Sequence, residues 1–111
     1  MLTIYPVPGS RTLEARITIP ADTTADDRAR LDALAHVFWG RRVRQPDSYV
    51  FTEARGRKCF ALWQAGFSAV PVPSVNHRAC ITHHRSEKIM TISQGMDFVK
   101  MSAVEVVEEV V

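Results

Sequence analysis

His77, Cys80, His83 and His84 place four side chains of zinc-ligating type close together in the chain, and Cys59 supplies another from farther upstream. Spacing decides whether they work as a group. On a helix His77, Cys80 or Ile81, and His84 would share one face, but the local sequence reads as strand and turn, where residues three apart point to opposite faces. The plainer reading is solvated loop histidines beside a buried cysteine, with metal ligation by His77, Cys80, His83 and His84 as the alternative, so no cofactor is expected. A Cys/His nucleophile needs a thiolate held by a nearby imidazolium and a third group to orient the ring. Nothing local supplies that arrangement, and the pattern predicts Cys59 as a core residue of a helix and Cys80 as a strand residue. The Pro8-Gly9-Ser10 turn has a single glycine and no following lysine, so it forms neither a nucleophile elbow nor a phosphate loop.

A second group of residues suits binding better than catalysis. Arg41, Arg42, Arg44, Arg55, Arg57 and Lys58 lie between Phe38 and Lys58 against only Asp47 and Glu53, and Trp39, Tyr49 and Phe51 are interleaved with them. Arginine and aromatic side chains carry much of the energy of protein interfaces, typically about 2 kcal/mol or more at the few residues that dominate. The same types suit nucleic acid, where cations meet phosphates and aromatic rings stack on bases. Strand alternation places Arg42 and Arg44 on one face and Arg41 on the other, which works against a single patch. A partner-binding surface is therefore expected from Trp39, Arg41, Arg42, Arg44, Tyr49, Arg55, Arg57 and Lys58, facing an acidic protein partner, with nucleic acid as the alternative partner and plain solvation of the arginines as the bland reading.

The elements that must position these residues follow from periodicity and capping. Leu13, Ala15, Ile17 and Ile19 alternate with Glu14, Arg16 and Thr18, the pattern of a strand with one buried face, and Pro20 ends it. Thr24 and Asp27 form a capping-box pair that opens a helix running to about His36. Leu31, Leu34, Ala35 and Phe38 give that helix its core face, leaving Asp26, Arg28, Arg30 and Asp32 mostly toward water, with Gly40 closing it. Arg41 to Arg44, the turn Gln45-Pro46-Asp47-Ser48, and Tyr49-Val50-Phe51 read as a β-hairpin. Thr52 as cap, Glu53 in the first turn and Gly66 at the left-handed terminal position bracket a second helix over Glu53 to Ala65. Its apolar stripe is Cys59, Phe60, Leu62 and Trp63. A strand is expected over Phe67 to Val72, at an edge or ending there, because Pro71 and Pro73 lack ladder donors. Short strands are expected over Ala79 to Thr82, Ile89 to Ile92 and Phe98 to Met101, separated by His83-His84-Arg85-Ser86 and by Gly95. Ser102 and Glu105 suggest a last helix with Val104, Val107 and Val111 on one stripe.

The 111 residues, 46% apolar and 8% aromatic, suffice for one core, and no repeat or linker divides them, so a single α+β domain over 1–111 is expected: a small antiparallel or mixed sheet packed by two to three helices. Net charge is +2, unevenly placed, since from Ser102 onward the charges are Glu105, Glu108 and Glu109 alone. Two cysteines and no secretory leader point to the cytoplasm. Apolar runs of a few residues fall far short of the roughly 20 that span a bilayer, so no membrane partner is expected. The exposed edge near Phe67 to Val72 would support pairing with a partner or with a second copy as a homodimer.

Two resemblances add to this reading. Tyr49-Val50-Phe51-Thr52-Glu53, followed by a helix ending Leu62-Trp63-Gln64-Ala65-Gly66-Phe67-Ser68-Ala69-Val70, resembles the opening strand, helix and strand of a toprim domain, whose glutamate after the first strand serves metal-dependent phosphoryl chemistry. Glu53 matches that glutamate; Ala54 stands where a glycine belongs, Arg57-Lys58 replace an expected acid, and no Asp-x-Asp follows. One carboxylate cannot build a two-metal site. The stretch from about Leu34 to Val70 also resembles small domains carried by phages and plasmids. That resemblance implies a non-enzymatic inhibitor or adaptor that occupies a surface of a host complex, as anti-CRISPR proteins do.

Overall fold

A computed structural model describes residues 1–70, 80–101 and 108–110. The alternation over Leu13 to Ile19 forms strand β2 (Leu13–Thr18), and Pro20 follows its end. Its antiparallel neighbour is β1 (Leu2–Pro6), in a register that sets Leu2 opposite Ile17 and Ile4 opposite Ala15. All four of these side chains are fully buried, which is what alternation on both strands of a pair requires. The hairpin β3 (Arg41–Arg44) and β4 (Asp47–Thr52) joins on the other side of β2 and adds Tyr49 and Phe51 to the same apolar face. The expected four-residue turn contracts to Gln45-Pro46, and Asp47 and Ser48 enter the ladder opposite Arg44 and Val43.

Helix α1 (Ala25–Val37) begins at Thr24, whose hydroxyl accepts from the Asp27 amide at 3.2 Å. Leu31, Leu34, Ala35 and Phe38 are buried as their spacing predicts. Arg28 and Arg30 depart from the expectation that they face water. Arg28 binds Asp47 at 2.6 Å, tying α1 to the hairpin. Arg30 donates to the carbonyl oxygens of Trp63 at 3.2 Å and Phe67 at 2.8 Å, and to the Asp27 carboxylate at 2.9 Å. Helix α2 (Glu53–Gln64) lies against β2, β4 and β1 on one side and against α1 on the other, so its buried stripe of Cys59, Phe60, Leu62 and Trp63 sits at the centre of the core. It approaches β2 so closely that a Cβ on Gly56 would stand 2.3 Å from that of Ala15. Gly66 takes the expected left-handed conformation at φ 94° after α2, whereas the Thr52 side chain makes no capping bond.

A second sheet holds β5 (Phe67–Val70), β6 (Cys80–His83) and β7 (Ser86–Thr91), all antiparallel, with β5 at an edge; Pro71, Val72 and Pro73 of the expected strand lie outside the described residues. Residues 71–79, including His77, lie outside the described ones. The strand expected over Phe98 to Met101 is instead the end of helix α3 (Ile92–Met101), and Gly95, expected as a separator, lies inside it. Thr91 and Gln94 bond reciprocally at 3.0 and 3.2 Å in a capping box, and Gly95 brings α3 onto the core, where a Cβ would fall 2.2 Å from Ile81 Cδ1. Ser102, Val104, Glu105, Val107 and Val111 of the expected last helix lie outside the described residues, but Glu108–Val110 form strand β8, parallel to β1. The first sheet thus runs β3-β4-β2-β1-β8, and the architecture is α+β, with two small sheets and three helices among the described residues.

Candidate functional site

The surface that stands apart begins at the end of α1. The Trp39 amide donates to His36 O at 3.3 Å and the Gly40 amide to Ala35 O at 2.7 Å, the paired bonds of a Schellman motif. That motif puts its left-handed residue at position 39, so Trp39, not Gly40, takes φ 59°. A side chain in this conformation costs about 1–2 kcal/mol relative to glycine. Gly40 is committed to another task, because a Cβ there would meet the Phe51 ring at 2.5 Å and Ala35 Cβ at 3.2 Å. The indole that results is 75% exposed.

Arg55, in the first turn of α2, lies over that indole with its guanidinium carbon 4.4 Å from the ring centroid. Arg41 and Trp39 line one shallow groove with Glu14, Val50 and Thr52, about 220 Å³ in volume. A neighbouring depression shares Glu14 and Thr52 and brings in Arg11. The strand register places Tyr5, Glu14, Arg16 and Arg41 on the sheet face opposite to the one that α2 covers. There the Tyr5 hydroxyl donates to Glu14 at 2.9 Å and Arg16 lies over the Tyr5 ring at 5.6 Å. Burial and the Glu14 carboxylate push the Tyr5 phenol above its ordinary pKa. Tyr5 therefore stays protonated and able to donate at neutral pH.

The residues expected to form one binding surface divide into two groups. Trp39, Arg41 and Arg55 come together, and Lys58 is exposed one turn beyond Arg55. Arg44 is exposed at the far end of β3. Arg42 and Tyr49 belong to the framework. Tyr49 is 8% exposed and carries Arg42 over its ring at 5.3 Å. Arg42 also pairs with Asp47 and donates to Val43 O at 2.7 Å and Ser48 O at 3.1 Å. Hydrogen bonds from Arg28 and then Arg42 hold the Asp47 carboxyl below the usual carboxylate range. Phe51 is buried, and Arg57 pairs with Glu53 at 3.3 Å across one helical turn. Tyr5 and Arg16 were not among the expected contacts; their signal is the polar half of the alternation on β1 and β2.

Among the cysteines and histidines, Cys59 is buried on α2 and Cys80 half-buried on β6, and burial pushes the Cys59 thiol far up, which suppresses the thiolate a nucleophile needs. His83 is buried, with Nε2 2.7 Å from Ala65 O and Nδ1 accepting from the Arg85 amide at 3.2 Å, so both ring nitrogens are engaged within the fold. His84 stacks on His83 with ring centroids 4.4 Å apart, and its Nδ1 lies 3.2 Å from Gly66 O. Among the described residues no three of these ligand types converge on one point. The strand, helix and strand that resemble a toprim opening are β4, α2 and β5, with β4 and β5 in different sheets.

No helix of the described residues is long and apolar enough to cross a membrane. Comparison with protein families, with curated proteins and with solved structures finds no match.

Proposed function

We propose that this chain is a binding module that occupies a surface of a partner protein, with Trp39, Arg41 and Arg55 at the centre of contact. One observation carries the reading: a tryptophan is kept 75% exposed at a strained left-handed position where glycine would be easier for the fold. Backbone strain beside a large exposed aromatic serves recognition better than stability. The resemblance to short phage and plasmid domains supplies the class of partner, a cytoplasmic host protein or complex whose surface is blocked in the manner of an anti-CRISPR inhibitor. No chemistry is assigned to the chain, and it is read as a single domain acting by contact alone.

The test is affinity capture from nuclease-treated host lysate with three forms of the protein. The original chain should recover a defined protein, Trp39→Ala should lose it, and Lys88→Glu on β7 of the other sheet should retain it. Undiminished recovery by Trp39→Ala would overturn the assigned surface. A second reading, nucleic-acid binding, is favoured by Tyr5, Arg16 and Arg41 lying on one sheet face beside Trp39. It requires affinity that falls steeply with salt, because each neutralised phosphate releases counterion. A gel shift at low salt that weakens strongly when salt is raised would favour it over the protein partner.

A further inference from the structure

The exposed indole adjoins a sheet edge that no other described strand pairs. Strand β3 is hydrogen-bonded to β4 on one side and ends the sheet on the other. The other edges are less suited to receiving a strand. β5 has Arg30 on its Phe67 carbonyl and α1 against it, β8 is three residues long, and β7 runs straight into α3. β3 starts two residues after Trp39, contains no proline, and carries Arg41 and Arg44 exposed at its two ends.

Charge decides what this edge accepts. Basic side chains on an edge oppose pairing with an identical edge of a second copy, the common way proteins protect such strands. The same charges attract a strand that brings carboxylates. Arg42 is already engaged by Asp47 and by the Val43 and Ser48 carbonyl oxygens, which leaves Arg41 on one face of the sheet and Arg44 on the other. In an antiparallel pair the residues opposite Arg41 and Arg44 are also three apart, so one carboxylate would fall on each face. Main-chain bonds then give affinity while side chains select the partner.

We propose that the β3 edge receives an extended acidic segment of the partner protein as an added antiparallel strand, its two carboxylates three residues apart and its flank against Trp39. This rests on the binding-module reading above and names the partner's chemistry at the same surface. The segment reads Glu-x-x-Glu, with small or β-branched residues between that suit a strand.

The probe is an end-capped eight-residue peptide of threonine and valine with two glutamates three apart. Its binding is followed by fluorescence anisotropy, and the contact by amide hydrogen exchange. Saturable binding with slowed exchange of β3 amides is expected, weakened about fivefold to tenfold by moving the glutamates to a spacing of two or by Arg41→Glu. Methylating the peptide's edge-facing amides should abolish it. Equal binding at both spacings, undiminished binding of the methylated peptide, or absent binding would each overturn strand addition. So would tighter binding of an eight-nucleotide oligothymidine at the same edge, or β3 protection that grows with protein concentration before any peptide is added, the sign of a second copy. Lysate capture separates this failure from that of the broader reading: recovery that still depends on Trp39 while the peptide fails leaves the binding module standing and removes only the added strand.

Discussion

Two arginine-aromatic pairs lie within a short stretch of this chain and do opposite things. Arg42 over Tyr49 is part of the framework: the ring is buried, the guanidinium meets Asp47 and two carbonyl oxygens, and Asp47 in turn holds Arg28 of α1. Arg55 over Trp39 is closer, at 4.4 Å, yet the indole is open to solvent and its backbone is strained. The same kind of contact, a guanidinium over an aromatic ring, thus serves stability in one place and presentation in the other, and the surroundings make the difference. A cation already bonded to a carboxylate and to carbonyl oxygens has little left to offer a partner. One whose contact among the described residues is an exposed ring retains most of its hydrogen-bonding capacity.

Substitutions on the two sides should separate accordingly. Tyr49→Ala removes a buried ring and should lower stability by about 3 kcal/mol in thermal or denaturant unfolding. If it proved neutral, the inner pair would not be framework. Gly40→Ala joins the two regions, because the new Cβ must push the Phe51 ring aside; a loss of about 2 kcal/mol is expected in the same assay. Trp39→Gly should be more stable than Trp39→Ala by about 1 kcal/mol, the difference isolating the left-handed strain from the lost ring contacts. Glu53→Gln, which removes the charge from a half-buried helical pair with Arg57, should change stability least, by about 0.5 kcal/mol in the same assay.

Acid provides a further handle on the inner pair. Asp47 has a lowered native pKa, so its stabilising effect is fully present above the unfolded value of about 4 and is lost as pH falls through the lower native value. Asp27 beside Arg30 shifts in the same direction for the same reason. Following unfolding midpoints from neutral pH down to about pH 2, the original chain should lose stability across that window more steeply than Asp47→Asn. Parallel curves would mean that the Arg28-Asp47-Arg42 link contributes nothing to the fold.

Much of the framework is legible in the sequence, and the reasons for the misses are physical. The alternation of β2 from Ala15 onward, the Thr24 cap, the stripe of α2 and the left-handed Gly66 are local signals that the fold obeys, whereas Leu13, the first apolar member of the alternation, is exposed. α3 was hidden because Ile92, Phe98 and Val99 favour strands, and because Gly95 looks like a breaker until Ile81 is seen to press against it. β1 carries only two core residues, Leu2 and Ile4, too short an alternation to stand out. For the site, the basic and aromatic residue types were visible, but their division was not. That Tyr49 is buried and Arg42 consumed by Asp47 depends on the hairpin's register, and that Trp39 takes the cap position depends on Phe51 occupying the space beside Gly40. The Glu53-Arg57 pair, four residues apart on a helix, could have been anticipated from spacing alone.

The most direct test of the central claim uses Trp39→Gly and measures unfolding midpoint and partner recovery on the same preparation. The expected result is a fold at least as stable as that of Trp39→Ala together with loss of partner recovery. Recovery equal to that of the original chain would contradict it, and would return Trp39 to the ordinary surface.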